Sequence, residues 1–340
     1  MKGKILQNKI TLAILIICIQ SSLYAYAGSE KNYIFSTATT GGTYYPVGVA
    51  FATLTKVKLQ PKKKISLTAI SSAGSGENVK LLRKNKAQFA ILQGLYGAWA
   101  WNGTGQVKHD GPQKHLRSVT MLWQNVEHFV IDSKYIETGT MRDLKHLTGQ
   151  KFSIGKKNSG TEGSGRHILT GLGIDADLSF KLIHMSYSAS ADAIQKGDIV
   201  GMNIPAGPPI NAIKRVFSAL GNDVTILNFT DEEMQKANNG LNLWTRYVIP
   251  AYTYPSQHKA INTIAQPNFM VVRADVDPEA VYNIVKSIYD NLPFLHHIHQ
   301  ATKAMSLDKA IVGLPIPLHP GALRYYQEQG LDIPKSLIAK

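Results

Sequence analysis

Four loops of small polar residues each follow an apolar, strand-like stretch and lead directly into a helical pattern. They are rich in Ser, Thr, Gly and Asn and lie at residues 37–45, 71–76, 157–161 and 185–190. The first backbone N–H groups of a helix have no partner within it, and the helix dipole is positive there, so an anion is stabilised at that end. The same residue types also cap helices that bind nothing. Because the pattern occurs four times, we predict a cleft that binds a carboxylate.

The first two loops and one strand end supply candidates for one side of this cleft. Gly42 would let the backbone approach a ligand closely, and the neighbouring N–H and O–H groups would donate hydrogen bonds. Tyr44 could instead pack in the core. Gln93 ends an apolar strand, where its amide could face the cleft or only cap the strand. The candidates on this side are Thr40, Gly42, Thr43, Tyr44, Ser75 and Gln93.

The third and fourth loops, with one later turn, supply the opposing side. Residues 158–161 would form a second anion-binding nest, with a plain helix N-cap as the alternative. Tyr187 could close over the ligand or lie in the core, since both positions are common for an aromatic residue after a strand. None of the four loops contains an arginine, so recognition would depend on neutral donors. The candidates here are Asn158, Ser159, Gly160, Thr161, Tyr187 and Gly207.

The N-terminus has the pattern of a secretory signal. Lysines at positions 2, 4 and 9 precede an apolar run over residues 10–19, and residues 25–27 (Ala-Tyr-Ala) match an A-x-A cleavage site. The run is too short to span a bilayer, although an uncleaved membrane anchor is the alternative. The sole cysteine, Cys18, lies within it. We therefore expect residues 1–27 to be removed, and a periplasmic protein without disulfides.

The remaining chain of about 310 residues is long enough for two α/β domains. The full sequence carries 37 basic and 23 acidic residues, a net charge of +14, and about +11 remains without the signal lysines. The lysines are scattered, and no basic stripe alternates with aromatic residues, so we expect no nucleic-acid partner. The positive field favours anionic solutes and anionic membrane surfaces.

Common catalytic motifs are missing from the sequence. It contains no G-x-S-x-G elbow, no Walker loop, no G-x-G-x-x-G after a strand and no H-E-x-x-H. His296, His297 and His299 form the only histidine cluster, and without a further ligand at suitable spacing a solvated helix end is favoured over a metal site. We therefore expect neither an enzyme nor a bound cofactor or metal.

Strand and helix patterns alternate along the chain in two series, which predicts an α/β fold with two parallel sheets. Strands are predicted at residues 33–38, 65–70, 89–92, 119–122, 129–131, 152–154, 180–184, 199–203, 224–227 and 269–273. Helices are predicted at residues 46–57, 78–84, 95–101, 161–172, 189–195, 209–220, 278–292, 294–303 and 320–328. Ligand loops from two α/β lobes suggest a hinged clamp.

The order of several short motifs resembles the TAXI group of solute receptors, which serve tripartite ATP-independent periplasmic (TRAP) transporters. Each motif is weak alone, but their joint order covers nearly the whole mature chain. In the first part they are TGGTYYP at residues 40–46 with Gly48, GSGEN at 74–78 before Leu81-Leu82, and AILQ at 90–93. In the second part they are residues 116–130, Asp143-Leu144, SGTE at 159–162, ADAIQKG at 191–197 and AGP at 206–208.

The resemblance implies a two-lobed periplasmic-binding-protein fold of type II with a hinged cleft. Lobe 1 would comprise residues 28–126 and 268–340, and lobe 2 residues 127–267. It further implies a monomeric receptor that delivers a small organic anion, such as glutamate or a dicarboxylate, to the membrane permease of a TRAP transporter. Two segments depart from the family pattern, Trp123 to Glu127 and Lys156 to Asn158.

Two alternatives share this fold. The protein could serve an ABC importer or a sensor kinase, or it could be a secreted interaction protein that does not transport a solute.

Overall fold

The computed structural model describes residues 30–339, which form a mixed α/β structure with two sheets. The predicted signal at residues 1–27 lies outside the described residues. No helix within residues 30–339 is long and apolar enough to cross a membrane. The strands are β1 Lys31–Ser36, β2 Ile65–Ile70, β3 Phe89–Gln93, β4 Leu116–Val126, β5 Phe129–Asp132, β6 Lys151–Ser153, β7 Lys181–Ile183, β8 Gly201–Asn203, β9 Val224–Ile226, β10 Thr245–Ile249 and β11 Ile261–Arg273.

Twelve α-helices connect and cover these strands, with short 3-10 segments between them. They are α1 Tyr44–Lys58, α2 Gln60–Lys63, α3 Ser75–Arg83, α4 Gly94–Asn102, α5 Gly160–Gly171, α6 Ala176–Ser179, α7 Tyr187–Gln195, α8 Asn211–Leu220, α9 Asp231–Asn238, α10 Pro278–Tyr289, α11 Leu292–Ile298 and α12 Pro320–Glu328.

The larger sheet has six strands and contains β4 and β11, the two longest strands within residues 30–339. Strands β2, β1 and β3 are parallel, and β3 then pairs antiparallel with β11. The opposite edge of β11 pairs with β4, and its first residues pair with β10. Strand β3 is buried along its whole length, as expected for a strand with both faces covered. We call this sheet and its helices the large-sheet half.

The smaller sheet has five strands in the order β7-β6-β8-β5-β9. Both faces of this sheet are covered, as β5 illustrates, because successive side chains along a strand point to opposite faces. Phe129 and Ile131 pack in the core cluster that also includes the large sheet, whereas Val130 packs in a second cluster with Ile194 and Val216. The chain enters this sheet between the end of β4 at Val126 and the start of β5. We call this sheet and its helices the small-sheet half.

The sequence patterns predict most elements correctly but not the sheet type. Both sheets are mixed, because β4, β5, β9, β10 and β11 make antiparallel pairs. The prediction of purely parallel sheets is therefore wrong. The sequence analysis also misses α9 and β10, and it detects only the last five residues of the 13-residue strand β11. The lobe boundaries at residues 126/127 and 267/268 stay a prediction.

Candidate functional site

The N-termini of four helices, α1, α3, α5 and α7, meet around one cavity between the two halves. All four loops singled out from the sequence therefore contribute to a single site. The enclosed cavity volume is about 40 Å³, several times the roughly 10–15 Å³ that one water needs. It is lined by Ala38, Thr39, Gly42, Thr43, Tyr44, Ala73, Gly74, Ser75, Gln93, Asn125, Lys156, Ser159, Gly160, Thr161, Met185, Ser186, Tyr187, Pro205 and Ala206.

A buried asparagine holds the first two loops in place. Asn78 is fully buried near the start of α3, and its Nδ2 donates to the carbonyl oxygens of Thr37 at 2.7 Å and Ile91 at 2.9 Å. Its Oδ1 accepts from the hydroxyls of Ser36 at 2.6 Å and Ser72 at 2.7 Å. Each polar atom of this amide thus has a partner, which ties both loops to β3.

The helix ends differ in how their backbone N–H groups are used. At α5 and α7 the cap side chains accept from the helix, Ser159 Oγ from Glu162 N at 3.1 Å and Ser186 Oγ from Ala189 N at 3.4 Å. The cap residues of α1 and α3, Thr43 and Gly74, make no such bond. Gly74 has φ = +119°, a conformation that favours glycine. The N–H groups of Tyr44 and Tyr45 in α1, and of Ser75 and Gly76 in α3, therefore lack a side-chain cap and can donate to a ligand, whereas that of Glu77 is bonded to Asn158 O.

The two halves contact each other directly beside the cavity, so the structure is in a closed arrangement. Glu77 N donates to Asn158 O at 3.0 Å, and the Tyr96 hydroxyl donates to Ser159 O at 3.1 Å. At Gly160 an added Cβ would lie 2.7 Å from Cδ of Gln93. The glycine therefore permits the close approach of α5 to the end of β3.

The hydroxyls of Thr161 and Tyr187 bond to each other and not toward the cavity. Tyr187 donates to Pro205 O at 2.7 Å, so its oxygen accepts from Thr161 Oγ1 at 2.8 Å. Burial raises the pKa of Tyr187, which keeps the hydroxyl protonated and able to donate. Both side chains line the cavity, but neither hydroxyl hydrogen remains for a ligand in this arrangement.

Two amide side chains of the cavity wall keep unpaired atoms. Gln93 is 3% exposed and Asn125 is 1% exposed. Among residues 30–339, no group hydrogen bonds Gln93 Oε1 or Asn125 Nδ2. Since buried polar atoms normally have partners, both atoms are candidates for bonds to a ligand or to water.

The electrostatics of the cavity wall favour an anion. Of the residues that line it, only Lys156 is charged, and none is an aspartate or glutamate. Glu127, between β4 and β5, has a buried carboxyl that does not line the cavity. Loss of hydration raises the pKa of Glu127 to about 7, and hydrogen bonds from Asn203 and Trp244 oppose that rise. Helix N-termini and one ammonium group thus dominate the field in the cavity.

The structure brings together nine of the twelve predicted site residues. Three lie elsewhere: Thr40 is exposed, and Gly207 packs against Trp123 and Ala301. Asn158 lies at the interface between the halves, where its Oδ1 accepts from Lys80 Nζ at 2.9 Å. No experiment tests the binding role of the other nine, which remains a prediction. They are Gly42, Thr43, Tyr44, Ser75, Gln93, Ser159, Gly160, Thr161 and Tyr187.

Sequence reasoning missed several residues of the cavity wall. Asn125 is the clearest case, because a buried amide within the apolar strand β4 was a usable signal. Lys156 and Ser186 belong to or adjoin predicted loops but were not singled out. An exposed lysine has no sequence pattern that separates a ligand contact from a solvated side chain.

Solved structures with a similar fold include several binding proteins. PhnD1 from Prochlorococcus marinus, solved with methylphosphonate, has a TM-score of 0.52 and 14% identity, with 81% of this chain and 91% of that chain covered. The periplasmic binding protein BugD has a TM-score of 0.50 and 10% identity, with 88% and 94% covered. SsuA from Escherichia coli, a periplasmic aliphatic sulphonate binding protein, has a TM-score of 0.44 and 10% identity, with 88% and 84% covered.

At such low sequence identity, the likeness to these structures shows the fold alone. They confirm the predicted class, an α/β fold of the two-lobed periplasmic binding proteins. A family model adds information at the level of sequence, since it matches residues 35–330, which is most of the chain. The protein therefore belongs to the NMT1-like family.

Proposed function

We propose that the protein is a non-catalytic extracytoplasmic receptor that binds a small organic anion between its two halves and hands it to a membrane importer. The observation that carries the proposal is the convergence of four helix N-termini on one cavity to whose wall residues 30–339 contribute no carboxylate. The two halves would act as the predicted lobes and close over the solute. The signal pattern at residues 1–27 supports export.

The ligand class follows from the donors and from the small cavity. Backbone N–H groups and hydroxyls arriving from four directions suit a compact oxyanion, either a carboxylate or a phosphonate or sulfonate. The TAXI resemblance supports glutamate or a dicarboxylate. PhnD1, which was solved with methylphosphonate, supports a phosphonate as the other member of this class.

Two kinds of importer are candidates for the partner. The fold shared with the binding proteins PhnD1 and BugD suits the binding component of an ABC importer, which we place first. The ordered TAXI motifs support a TRAP permease, which we place second. A neighbouring gene for an ATPase would favour the first, and a neighbouring gene for a large multi-span permease would favour the second.

The decisive experiment identifies what the cavity holds. Mass spectrometry of the exported protein, purified without added anions, should detect a small organic anion. Calorimetry with glutamate, succinate and methylphosphonate should then find at least one that binds, while their neutral amides or esters do not. Equal binding of a neutral analogue, or a preference for cations or sugars, would refute the anion assignment.

Two variants on the same helix test whether the anion binds in this cavity. Ser159→Ala should weaken binding of that anion, because its hydroxyl lines the cavity at the N-terminus of α5. Thr170→Ala, an exposed position near the other end of the same helix, is the matched control and should leave the affinity unchanged.

A further inference from the structure

A row of buried amides crosses the large sheet beside the cavity. Gln93 on β3 is the register partner of Asn268 on β11, and Asn125 lies on β4, the other neighbour of β11. Their side chains are 3%, 0% and 1% exposed, respectively. Gln93 and Asn125 line the cavity, whereas Asn268 does not. Three buried amide side chains therefore occupy adjacent strands of the sheet.

Two hydrogen bonds connect this row to the N-terminus of α1. The Tyr44 hydroxyl donates to Asn268 Oδ1 at 2.5 Å, and Asn268 Nδ2 donates to Asn125 Oδ1 at 3.2 Å. Each bond requires its acceptor to be an amide oxygen, which leaves the nitrogen of that amide free to donate onward. The chain of bonds therefore ends at Asn125 Nδ2, which has no partner among residues 30–339.

We propose that Asn268 is a positioning residue that turns the Asn125 amide so that its N–H group, and not its carbonyl oxygen, faces the bound anion. The proposal rests on the anion-receptor function proposed above. The Tyr44 hydroxyl begins the chain of bonds by donating its single hydrogen to Asn268 Oδ1. Burial raises the pKa of Tyr44, so the hydroxyl keeps that hydrogen at neutral pH.

The position of Asn125 gives this amide a role that the helix N-termini do not have. Asn125 and Asn268 lie on β4 and β11, the two long paired strands, and Val126 is the last residue before the chain passes to the small-sheet half. An N–H donor at this point can satisfy one oxygen of an oxyanion. A neutral amide analogue that presents its own N–H group there would face the N–H group of Asn125, and the hydrogen bond between Asn125 and the ligand would be lost.

A double-mutant cycle tests whether Asn268 acts through Asn125. Affinities for methylphosphonate and for succinate are measured by calorimetry on wild type, Asn125→Ala, Asn268→Ala and the double variant. We expect about a tenfold loss from each single variant and about the same tenfold loss, not a hundredfold loss, from the double variant. A merely structural role for Asn268 predicts losses that multiply.

Controls keep the result interpretable. Asn283→Ala removes another buried asparagine of the large-sheet half, on α10, and should leave both affinities unchanged. If Asn268→Ala does not fold, as judged by thermal denaturation without ligand, Asn268→Ser replaces it in the cycle, since the smaller hydroxyl cannot bridge Tyr44 and Asn125.

NMR tests directly whether the side-chain NH₂ group of Asn125 faces the bound anion. The side-chain NH₂ signal of Asn125, assigned by its loss in Asn125→Ala, should shift when the bound probe is added to wild type. In Asn268→Ser the shift should be much smaller. Three results would each overturn the positioning role of Asn268 but not the anion-receptor function. They are affinity losses that multiply in the double variant, an unchanged affinity in the Asn268 variant, and an Asn125 signal that does not shift when the probe is added. Wild type that binds neither probe nor glutamate would overturn the anion-receptor function on which this positioning role rests.

Discussion

Replacing Glu127 by glutamine should stabilise the protein at pH 8 more than at pH 4.5. Glu127 is fully buried between β4 and β5, where its carboxylate oxygens accept from Asn203 Nδ2 at 3.1 Å and Trp244 Nε1 at 3.3 Å. Loss of hydration is the main cause that raises its pKa from the usual 4.5 to about 7. The folded protein therefore disfavours the ionised carboxylate.

The sign and the magnitude follow from proton linkage. Between pH 4.5 and 7 the folded chain keeps a proton at Glu127 that the unfolded chain has lost, so the free energy of unfolding falls as pH rises. The free energy of unfolding falls by about 1.4 kcal/mol per pH unit across this window. Above pH 7 the ionised Glu127 therefore lowers it by roughly 3 kcal/mol. Glutamine has no such cost. Asn203 Oδ1, which has no partner among residues 30–339, can accept from the new amide after the Asn203 side chain rotates.

His128 has the opposite pH dependence and partly hides this effect in wild type. Burial lowers the pKa of His128 to about 4, so the unfolded chain binds its proton more readily. Stability linked to His128 is therefore present above pH 6.5 and is lost as pH falls toward 4. Burial also lowers the pKa of His319 to about 4, so wild type should itself lose stability as the pH falls below 6.5, and the Glu127→Gln variant should lose it more steeply.

Urea denaturation followed by tryptophan fluorescence at pH 4.5, 6 and 8 measures this difference. We expect the variant to exceed wild type by about 2–3 kcal/mol more at pH 8 than at pH 4.5. Glu328→Gln, an exposed position, is the control and should stay within about 0.5 kcal/mol of wild type throughout. A Glu127→Gln difference that is the same at all three pH values would refute the buried, protonated carboxyl.

Three further predictions concern the cavity and its closure. Thr43→Ala and Ser159→Ala should each weaken binding of the anion found above by roughly 1–3 kcal/mol, and unchanged calorimetric affinity in both would remove these loops from the site. Small-angle scattering of wild type should show compaction when that anion is added, and identical profiles with and without it would argue against a clamp. Gly160→Ala should bind more weakly and remain expanded in the same scattering experiment, because its Cβ would lie 2.7 Å from Cδ of Gln93 in the closed arrangement. Full closure of that variant would contradict the steric argument.

The local structure of this protein follows from patterns of neighbouring residues. The extents of β2 and α12 are predicted to the residue, and the four helices whose N-termini meet at the cavity begin within three residues of the predicted positions. Helix starts depend on neighbouring residues that cap the first turn, and strand patterns depend on alternating or continuous apolar residues. Four loops that each precede a helix were therefore visible without coordinates.

The way in which these elements combine depends on long-range packing. Antiparallel β4 and β11 bring Asn125 beside Asn268, which is 143 residues away along the chain. The same packing places the Thr161 hydroxyl against the Tyr187 hydroxyl, which in turn donates to Pro205 O. It also places Asn158 at the interface between the halves, whereas the sequence analysis predicted it in the cleft. Strand pairing depends on contacts between distant segments, which a local pattern of residues does not specify. The sequence therefore predicts which groups are available to bind an anion, and the long-range packing determines which of them still have a free hydrogen to donate.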